Sequence, residues 1–539
     1  MAVEVLKLCM ENGFLLDKEM LNLFLEFREE EATKIIEAIG TLNIEERVIS
    51  LKLFEKIFEK LKKTIFAEEG FRDVHDFFKK LEQPKQIGVL KESEKNISNE
   101  ENPVKLLFAP AFNQRKITVR DFVSHFRSRF EIMSSFFDAK NLENLTSIRK
   151  IGMDKSTHSI IAMVLGKRVT KNKNILFHVE DLTGNSLVLV NQNKEELFEK
   201  AEEVLVDDVL AFEVNGTKEI LFANNIHFPS ASLPEKKYGH TDQYIAFMGD
   251  MHVGSKMFLE KNVLNFVKWL NGKQGDERQK EIALKVKYLF ITGDNVDGVS
   301  QYPGQESLLD EKTSIGQYKK MEEILKLIRK DIQIIICPGQ HDSVWVGEPQ
   351  PIIGERWAPG LYKMDNVHLV PNPARVEISG GFKVLMYHGA SINYFIEEIP
   401  KIRIKYGHNS PTKVVKELLK RRHLSPIHGL SDYIPCEKDY MVLEEIPDII
   451  STGDQHRCEV SMYNNILLIA GSCWQSITPF EEKVGNNPDP CKVPLFNLKT
   501  REIKILDFSD EKIDEEEKII ENQLDEEEKI IENQLVGEN

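Results

Sequence analysis

Apolar residues follow a helical spacing along the first 65 residues of the chain. In LLDKEMLNLFLEF and ERVISLKLFEKIFEKLKKTIF they recur every three or four positions. This pattern predicts a helical N-terminal module over residues 1–75, either a small packed bundle or a docking module. The following stretch, KQIGVLKESEKNISNEENPV, is polar and poor in aromatic residues, which predicts a linker over residues 76–104.

Beyond the linker, the apolar period changes from that of a helix to that of a strand. VRDFVSHFRSRFEIMSSFF is helical in pattern, and residues 159–193 then hold three short β-rich runs separated by polar turns. A helical KEELFEKAEEVL and two more strands complete the segment. About five short strands with one helix predict a small barrel of the OB type, with the preceding helix, in a domain over residues 105–232.

Two roles are open for this barrel. It either binds single-stranded nucleic acid through aromatic and basic residues or serves as a packing platform. The acidic HVEDL and the few aromatic residues favour the platform.

Apolar runs alternate with helical stretches over residues 233–510, which predicts an α/β domain built on a sheet. The segment that follows, residues 511–539, holds DEEEKIIENQL twice, at 514–524 and 525–535. An 11-residue period keeps each Ile-Ile-x-x-x-Leu set on nearly one helix face. The repeat predicts an exposed acidic helix or a disordered tail, with a partner-binding strip as the alternative.

Composition narrows the class of protein. The chain has 539 residues, 41% of them hydrophobic, yet no apolar run approaches the roughly 20 residues of a membrane span. The N-terminus lacks the pattern of a signal peptide, and the six cysteines form no CxxC pair, which favours a reducing cytoplasm. A net charge of −16 argues against broad coating of DNA, but it allows a small DNA site served by metal ions or by a basic partner.

Five apolar runs in the 233–510 region end in polar loops of similar design. YIAFM, YLFIT, IQIIIC, VLMY and DIIST are each followed by potential metal ligands. These residues are Asp250 and His252; Asp294 and Asn295; Gln340, His341 and Asp342; His388; and Asp454 and His456. In an α/β sheet, ligands gather beyond the carboxyl ends of the strands, where all five loops lie.

Each loop alone has an ordinary explanation. Asp-x-His occurs by chance, a lone His388 is more often a satisfied buried histidine, and Asp454 fits the start of a helix. Recurrence after five strands favours a common metal site, because imidazole and carboxylate groups bind Mn, Fe, Zn or Ni. Two such ions can clamp a phosphoryl group and activate a water, with Asp294 placed to bridge them.

The ordered motifs GDMH, GDNVD, PGQHD, YHG and TGDQH resemble the signature of the calcineurin-like metallophosphoesterases. Together with GDMHVGSKMF, TGDNVDGVSQYPGQ and the barrel before them, they resemble the small subunits of archaeal D-family DNA polymerases. The likeness covers most of the chain apart from the duplicated tail. It implies a multidomain α+β fold with a calcineurin-like α/β β-sandwich phosphoesterase core over residues 233–510.

The same resemblance implies which residues hold the metals. The first ion would be held by Asp250, His252, Asp294 and His456, and the second by Asp294, Gln340, His388 and Asp454. His341 would lie beside the scissile phosphate, where it stabilises charge or protonates the leaving oxygen, and Asp342 would orient it.

The activity implied is a metal-dependent 3′→5′ exonuclease used for proofreading, with Mn²⁺ favoured and Mg²⁺, Fe, Zn or Ni as alternatives. The partners implied are the large catalytic polymerase subunit, the 3′ end of single-stranded DNA, and the sliding clamp.

Two residues depart from the family pattern. Gln340 stands where the pattern has asparagine, and Asp454 stands where it has the first histidine of G-H-x-H. The amide of Gln340 reaches one methylene further, while Asp454 is shorter than histidine and adds negative charge, which shifts selectivity toward Mn²⁺ or Mg²⁺. The site is therefore either active and retuned or impaired.

Two other functions follow from these departures and from the motifs alone. An impaired site would leave a non-catalytic scaffold subunit. A phosphoesterase core acting without a polymerase would be a stand-alone metallophosphatase or phosphodiesterase.

Several further residues have two interpretations. Tyr302 either stacks on a base or packs a turn, and Trp345 either shapes the entrance or packs. Residues 401–426 are the most basic stretch of this acidic chain, either a phosphate track, a partner surface or a solvated helix face. We leave His423 and His428 out of the metal site because the five loops already account for it.

Overall fold

The computed structural model of the chain describes residues 104–111, 116–137, 142–153, 156–484 and 486–509, and short pieces between residues 8 and 49. The chain divides into two units, residues 1–98 and 99–539. Apart from Val104, the predicted linker over residues 76–104 lies outside the described residues, as does the predicted acidic tail over residues 511–539.

The first unit contains a short parallel strand pair, β1 (Leu15–Leu16) and β2 (Val48–Ile49). Leu8, Cys9, Thr33, Ile36 and Ile39 are helical. The expected helix is therefore wrong at the four paired residues. Two adjacent apolar residues fit a buried strand as well as a helix face, so periodicity could not separate the two. The rest of the predicted helical module lies outside the described residues.

The second unit begins with β3 (Val104–Phe108) and helix α1 (Val119–Ser134). Thr118 and Asp121 form a capping box at the start of α1, where the Thr118 backbone N–H donates to Asp121 Oδ2 at 2.6 Å. Asp121 thus satisfies a backbone donor that the helix cannot.

A closed five-stranded barrel follows. Its elements are β4 (Thr157–Val169), β5 (Ile175–Asp181), β6 (Gly184–Val190), α2 (Glu195–Glu202), β7 (Val209–Thr217) and β8 (Ile220–His227). The strand order is β4-β5-β6-β8-β7, with β6 and β8 parallel. Buried Ile160, Val164, Phe177, Val188 and Phe212 fill its core. Five strands and one helix agree with the sequence pattern, and assignment to the OB type stays a prediction.

The remaining elements form the α/β part of the unit. The strands are β9 (Tyr244–Met248), β10 (Val286–Thr292), β11 (Gln333–Cys337), β12 (Val367–Leu369), β13 (Ala374–Ile378), β14 (Phe382–Met386), β15 (Ile449–Thr452), β16 (Glu459–Tyr463), β17 (Ile466–Ala470), β18 (Lys492–Asn497) and β19 (Ile503–Asp507). The helices are α3 (Glu260–Leu270), α4 (Glu277–Lys285), α5 (Ser314–Leu325), α6 (Ala390–Glu398), α7 (Pro400–Lys405), α8 (Pro411–Arg421) and α9 (Pro479–Val484).

Two six-stranded sheets are built from these strands. The first has the order β12-β11-β10-β9-β18-β19, with β9 to β12 parallel. The second has the order β16-β17-β15-β14-β13-β3, with β14, β15 and β17 parallel. All of strand β3 except Val104 lies within the range expected for the barrel domain, yet the strand pairs with β13, with Val104 opposite Ile378. A local pattern cannot reveal a partner so distant in sequence.

The two sheets stack to bury one shared core. Phe247 and Phe290 of the first sheet lie in the same buried cluster as Val384 and Ile449 of the second. Helices α3 to α5 cover the outer face of the first sheet, and α6 and α8 cover that of the second. The result is a mixed α/β sandwich whose parallel strands are buried on both faces, as such sheets require. Among the described residues, no helix is long and apolar enough to cross a membrane.

Candidate metal centre

The predicted ligands follow the carboxyl ends of five strands. Asp250 comes just after β9, Asp294 after β10 and Gln340 after β11 in the first sheet, whereas His388 follows β14 and Asp454 follows β15 in the second. Since the strands of each set are parallel, their ends meet at one edge of the sheet.

The backbone of these loops turns through the left-handed region at five ligand positions. Positive φ angles occur at Asp250 (49°), His252 (49°), Asp294 (44°), Asp454 (66°) and His456 (54°). This conformation costs of the order of 1–3 kcal/mol at a non-glycine residue and persists only where the surroundings enforce it. Its concentration in these loops is typical of a functional site.

Glycines let the loops approach one another closely. A Cβ atom on Gly339 would lie 2.2 Å from Asp294 Oδ1, and one on Gly293 would lie 2.0 Å from His388 Nδ1. A Cβ on Gly453 would lie 2.6 Å from Asp250 Oδ2. The Gly-Asp and Pro-Gly pairs of the motifs therefore open the space that the ligand side chains occupy.

The side chains converge in three overlapping groups whose ligand atoms lie within 4.8 Å of one another. The groups are Asp250, His252 and His456; His252, Asp294 and His341; and Asp250, Asp294 and His388. The two carboxylate oxygens of Asp294 face different histidines: Oδ1 lies 3.3 Å from His388 Nε2, and Oδ2 lies 3.9 Å from His252 Nε2. This geometry suits a bridging carboxylate.

Each of the four histidines has its Nδ1 atom held by an oxygen, which leaves Nε2 for the centre. The pairs are His252 Nδ1 with Asp297 Oδ1 (3.2 Å), His456 Nδ1 with Glu481 Oε1 (2.8 Å), His388 Nδ1 with Thr292 O (3.2 Å) and His341 Nδ1 with Asp297 O (2.8 Å). Such outer partners fix the tautomer of a metal-ligating histidine. His252 Nε2 and His456 Nε2 then face each other at 3.1 Å.

Asp250 Oδ2 is buried and has no hydrogen-bond partner among the described residues, and the buried His388 Nε2 faces Asp294 Oδ1 at 3.3 Å. Burial raises the pKa of Asp250 to about 7, while the charge of His388 opposes that rise. Burial also opposes ionisation of Asp294, yet His388 holds the pKa of its carboxyl well below the ordinary value. A buried carboxylate cluster with one acceptor atom left without a donor and with imidazole Nε2 atoms facing it suits divalent cations, so these residues fit the implied metals.

Asp342 has a different place from the one expected. Its carboxylate is buried and accepts hydrogen bonds from Gly339 N (2.8 Å), Tyr318 OH (2.7 Å) and the Asn295 side chain (2.9 Å). The His341 ring is instead oriented by the carbonyl of Asp297. The expected orienting role of Asp342 toward His341 is therefore corrected: Asp342 ties the β10 and β11 loops together.

The two departures from the family pattern lie at the edge of the cluster. Gln340 is half-buried. The backbone N–H of Asp454 donates to Asp250 Oδ1 at 3.0 Å, and its Oδ2 accepts from Asn393 Nδ2 and Gln455 Nε2, both at 2.8 Å. The resemblance implies that Asp454 and His388 hold the same ion. In the structure, the group of ligand atoms that contains His388 also contains Asp250 and Asp294.

Sequence reasoning missed two residues that hold the ligands. Asp297 contacts His252, and its signal was present as the second acidic residue of GDNVD. Glu481 contacts His456 from helix α9, 25 residues further along the chain, where no local pattern marks it.

The histidines excluded from the site have other partners. His423 Nε2 lies 2.9 Å from Asp439 Oδ2, and His428 Nδ1 lies 2.6 Å from Tyr433 OH. Trp345 Nε1 donates to the Pro349 carbonyl at 2.8 Å, which is a packing role.

Comparison with known proteins places this arrangement in a family. A family model for the B subunits of DNA polymerases alpha and epsilon matches residues 245–461, which include the five loops up to His456. The DNA polymerase II small subunit of Archaeoglobus fulgidus is 38% identical over 379 residues, 70% of this chain and 75% of that protein. The chain belongs to the archaeal DNA polymerase II small-subunit family. The corresponding family member of Methanothermobacter thermautotrophicus is 34% identical over 395 residues, 72% of this chain and 80% of that protein.

The resemblance to archaeal DNA polymerase small subunits that the motifs indicated is thereby confirmed. Solved structures of an archaeal phosphodiesterase and of zinc-complexed Vps29 from Entamoeba histolytica are also similar. The first is 15% identical with a TM-score of 0.24 and covers 49% of this chain and 99% of its own. The second is 14% identical with a TM-score of 0.22 and covers 50% and 100%.

Proposed function

We propose that this chain is the small subunit of a two-subunit DNA polymerase and that its metal centre removes nucleotides from the 3′ end of a DNA strand. The observation that carries the proposal is the convergence of four histidines and two carboxylates, Asp250 and Asp294, in three overlapping groups. A cluster of this kind is suited to phosphodiester hydrolysis. DNA is the proposed substrate because the chain belongs to a family of DNA polymerase subunits.

The proposed ligands are the seven that the motifs supply. Asp250, His252 and His456 would hold one ion and His388, Gln340 and Asp454 the other, with Asp294 between them. Two divalent ions, Mn²⁺ by preference, would lower the pKa of a bound water and offset charge on the leaving oxygen. The neighbouring Asp250 carboxylate is close enough to His388 to serve the second ion as well.

His341 is the proposed proton donor to the leaving 3′ oxygen. It is half-buried at the rim, its Nδ1 is held by the carbonyl of Asp297, and its backbone N–H donates to Asp294 Oδ1 at 2.9 Å. These two contacts fix both the ring and the loop, so that Nε2 has a defined direction toward substrate. His341 also lies in one group of potential metal ligands with His252 and Asp294. Metal binding is therefore the alternative role for His341.

The large catalytic subunit is the proposed partner, with the sliding clamp nearby and the cytoplasm as the compartment. The proposed domains keep their predicted bounds: module 1–75, linker 76–104, OB-type domain 105–232, phosphoesterase domain 233–510 and tail 511–539. Val104–Phe108, at the junction of the linker and the barrel domain, would then complete the second sheet.

The test uses the full chain, alone and with the large subunit, on a single strand labelled near its 5′ end in the presence of Mn²⁺. A ladder shortening from the 3′ end, abolished by Asp294→Asn, supports the proposal. No shortening under either condition would contradict it. Cleavage of small phosphodiesters with intact DNA would instead indicate a stand-alone phosphodiesterase.

A non-catalytic scaffold is the second candidate. It is favoured by Asp454, whose Oδ2 already accepts two side-chain hydrogen bonds from Asn393 and Gln455. A scaffold would bind the large subunit normally and show the same polymerase stability in native and Asp294→Asn forms, with no DNA shortening in either.

A further inference from the structure

The basic stretch over residues 401–426 contains two kinds of positive charge. One kind is neutralised within the protein: Lys401 and Lys420 pair with Glu203 at 3.1 and 2.5 Å, and Arg403 lies 3.7 Å from Glu397. Because Glu203 follows helix α2 of the barrel, the first two lysines fasten the barrel to the sandwich. Their role is therefore structural.

The second kind is Lys405, Lys413 and Lys416. Among the described residues, none of these three ammonium groups has a carboxylate oxygen within 4.0 Å. The acidic neighbour Glu459 already accepts a hydrogen bond from the Thr412 backbone at 2.9 Å. Among the described residues these three charges share no ion pair within 4.0 Å, although the charge of Glu459 acts on Lys416, and they repel one another unless an anion joins them.

An aromatic ring lies among these charges. The ammonium groups of Lys405 and Lys413 lie 5.1 and 5.4 Å from the centre of the Tyr406 ring. The pKa of Tyr406 is lowered, first by its hydrogen bond with Lys405 and then by the charges of Lys405, Lys413 and Lys416. Lys405 is exposed, and Tyr406, Lys413 and Lys416 are half-buried, so the ring and the charges all reach solvent.

A chain of hydrogen bonds runs from His408, beside this surface in the sequence, to the metal centre. His408, two residues from Tyr406, has Nδ1 3.1 Å from Asn393 Oδ1, and Asn393 Nδ2 donates to Asp454 Oδ2 at 2.8 Å. The exposed Tyr394 follows Asn393 directly. The charged and aromatic surface therefore borders the site where the scissile phosphate is proposed to lie.

We propose that Lys405, Lys413, Lys416 and Tyr406 form a track for single-stranded DNA leading into the metal centre. The lysines bind consecutive phosphates, and Tyr406 stacks on a base. Aromatic rings interleaved with basic groups are how proteins hold single strands without reading sequence. The choice of DNA as ligand rests on the proposed function, whereas the anion-binding surface rests on the contacts above.

The test measures binding of a fluorescein-labelled oligo-dT to the full chain by anisotropy in EDTA, where no hydrolysis occurs. The variant is Lys405→Gln with Lys413→Gln and Lys416→Gln. The control is Lys261→Gln with Lys319→Gln and Lys330→Gln, which removes the same charge from exposed lysines outside the track. For single-stranded DNA, a plot of log affinity against log salt concentration has a slope of about −0.7 for each phosphate contact. The track variant loses three contacts, so its slope should be shallower by about 2. The control variant should keep the slope of the native chain.

A second pair of variants tests the ring. Tyr406→Leu should weaken binding about 5- to 150-fold, the equivalent of losing one stacked base, whereas Tyr406→Phe should bind as the native chain does. Equal melting temperatures of all variants exclude unfolding as the cause.

The outcomes separate the two proposals. Equal salt slopes for the native, track and control proteins would overturn the track. Native DNA binding by the track variant together with loss of large-subunit binding would also overturn it and assign the surface to the partner. Track-dependent DNA binding by a chain that never shortens DNA would retain the track and refute the proposed nuclease.

Discussion

Replacing Asp297 with asparagine perturbs the metal centre and leaves every proposed metal ligand in the chain. Asp297 is 2% exposed, and its Oδ1 lies 3.2 Å from His252 Nδ1 and accepts from Gln475 Nε2 at 3.1 Å. Its Oδ2 accepts from Gln305 Nε2 at 2.9 Å. Asparagine keeps the size of the side chain but removes the negative charge opposite His252.

The magnitude follows from this contact. Although burial opposes ionisation, the hydrogen bond with His252 lowers the pKa of the Asp297 carboxyl, so an anion holds the imidazole. Loss of a partner of this kind costs 10- to 100-fold in metal affinity, or about 1.4–2.8 kcal/mol. We therefore expect Asp297→Asn to bind Mn²⁺ 10- to 100-fold more weakly, chiefly at the ion held by His252.

Isothermal titration of the metal-free chain with Mn²⁺ measures this effect. The matched control is Asp448→Asn, a carboxylate 6% exposed that precedes β15 and so lies at the opposite end of that strand from Asp454. Asp448 contacts Lys237 and the Lys383 backbone, and its loss should leave Mn²⁺ affinity unchanged. Asp297→Asn with native affinity, or an equal loss in Asp448→Asn, would refute the reasoning.

Three further predictions follow from the same contacts. His341→Ala should bind as many Mn²⁺ ions as the native chain, but it should shorten DNA about 10²- to 10⁴-fold more slowly, because it lacks the general acid. If elemental analysis instead finds one ion fewer, His341 is a metal ligand. Gly339→Ala would place a Cβ 2.2 Å from Asp294 Oδ1 and should abolish Mn²⁺ binding in titration, whereas Gly166→Ala, with open space at its Cβ, should bind normally. Burial raises the pKa of Glu348 from 4.5 to about 7. The folded protein therefore binds the Glu348 proton more tightly than the unfolded chain does. The stabilisation that this proton gives is fully present below pH 4.5 and is lost as the pH rises through 7. Glu348→Gln should therefore flatten the fall in melting temperature of the metal-free chain between pH 5 and 8, and an unchanged fall would contradict this.

The sequence was informative where the chemistry is local. Asp250, Asp294 and Asp454 each follow a buried strand with a glycine between, and strand ends were therefore a sound guide to where ligands gather. The barrel strands were equally visible, because alternation and polar turns are local signals.

Long-range pairings account for what the sequence could not reveal. Glu481 holds His456 from a separate helix, and Asp342 joins two loops rather than orienting His341, because both depend on how elements pack. The pairing of Val104–Phe108 with β13 spans about half of the chain, and short apolar pairs such as Leu15–Leu16 fit either helix or strand. Such outcomes are decided by tertiary contacts, which override local pattern.

Five strand-end loops are proposed to hold a pair of divalent cations through Asp294. Equilibrium dialysis of the full chain against saturating Mn²⁺, followed by elemental analysis, measures how many ions the chain binds. We predict two ions per native chain and at most one per Asp294→Asn chain. One ion per native chain at saturation, or equal stoichiometry in the two proteins, would contradict the account.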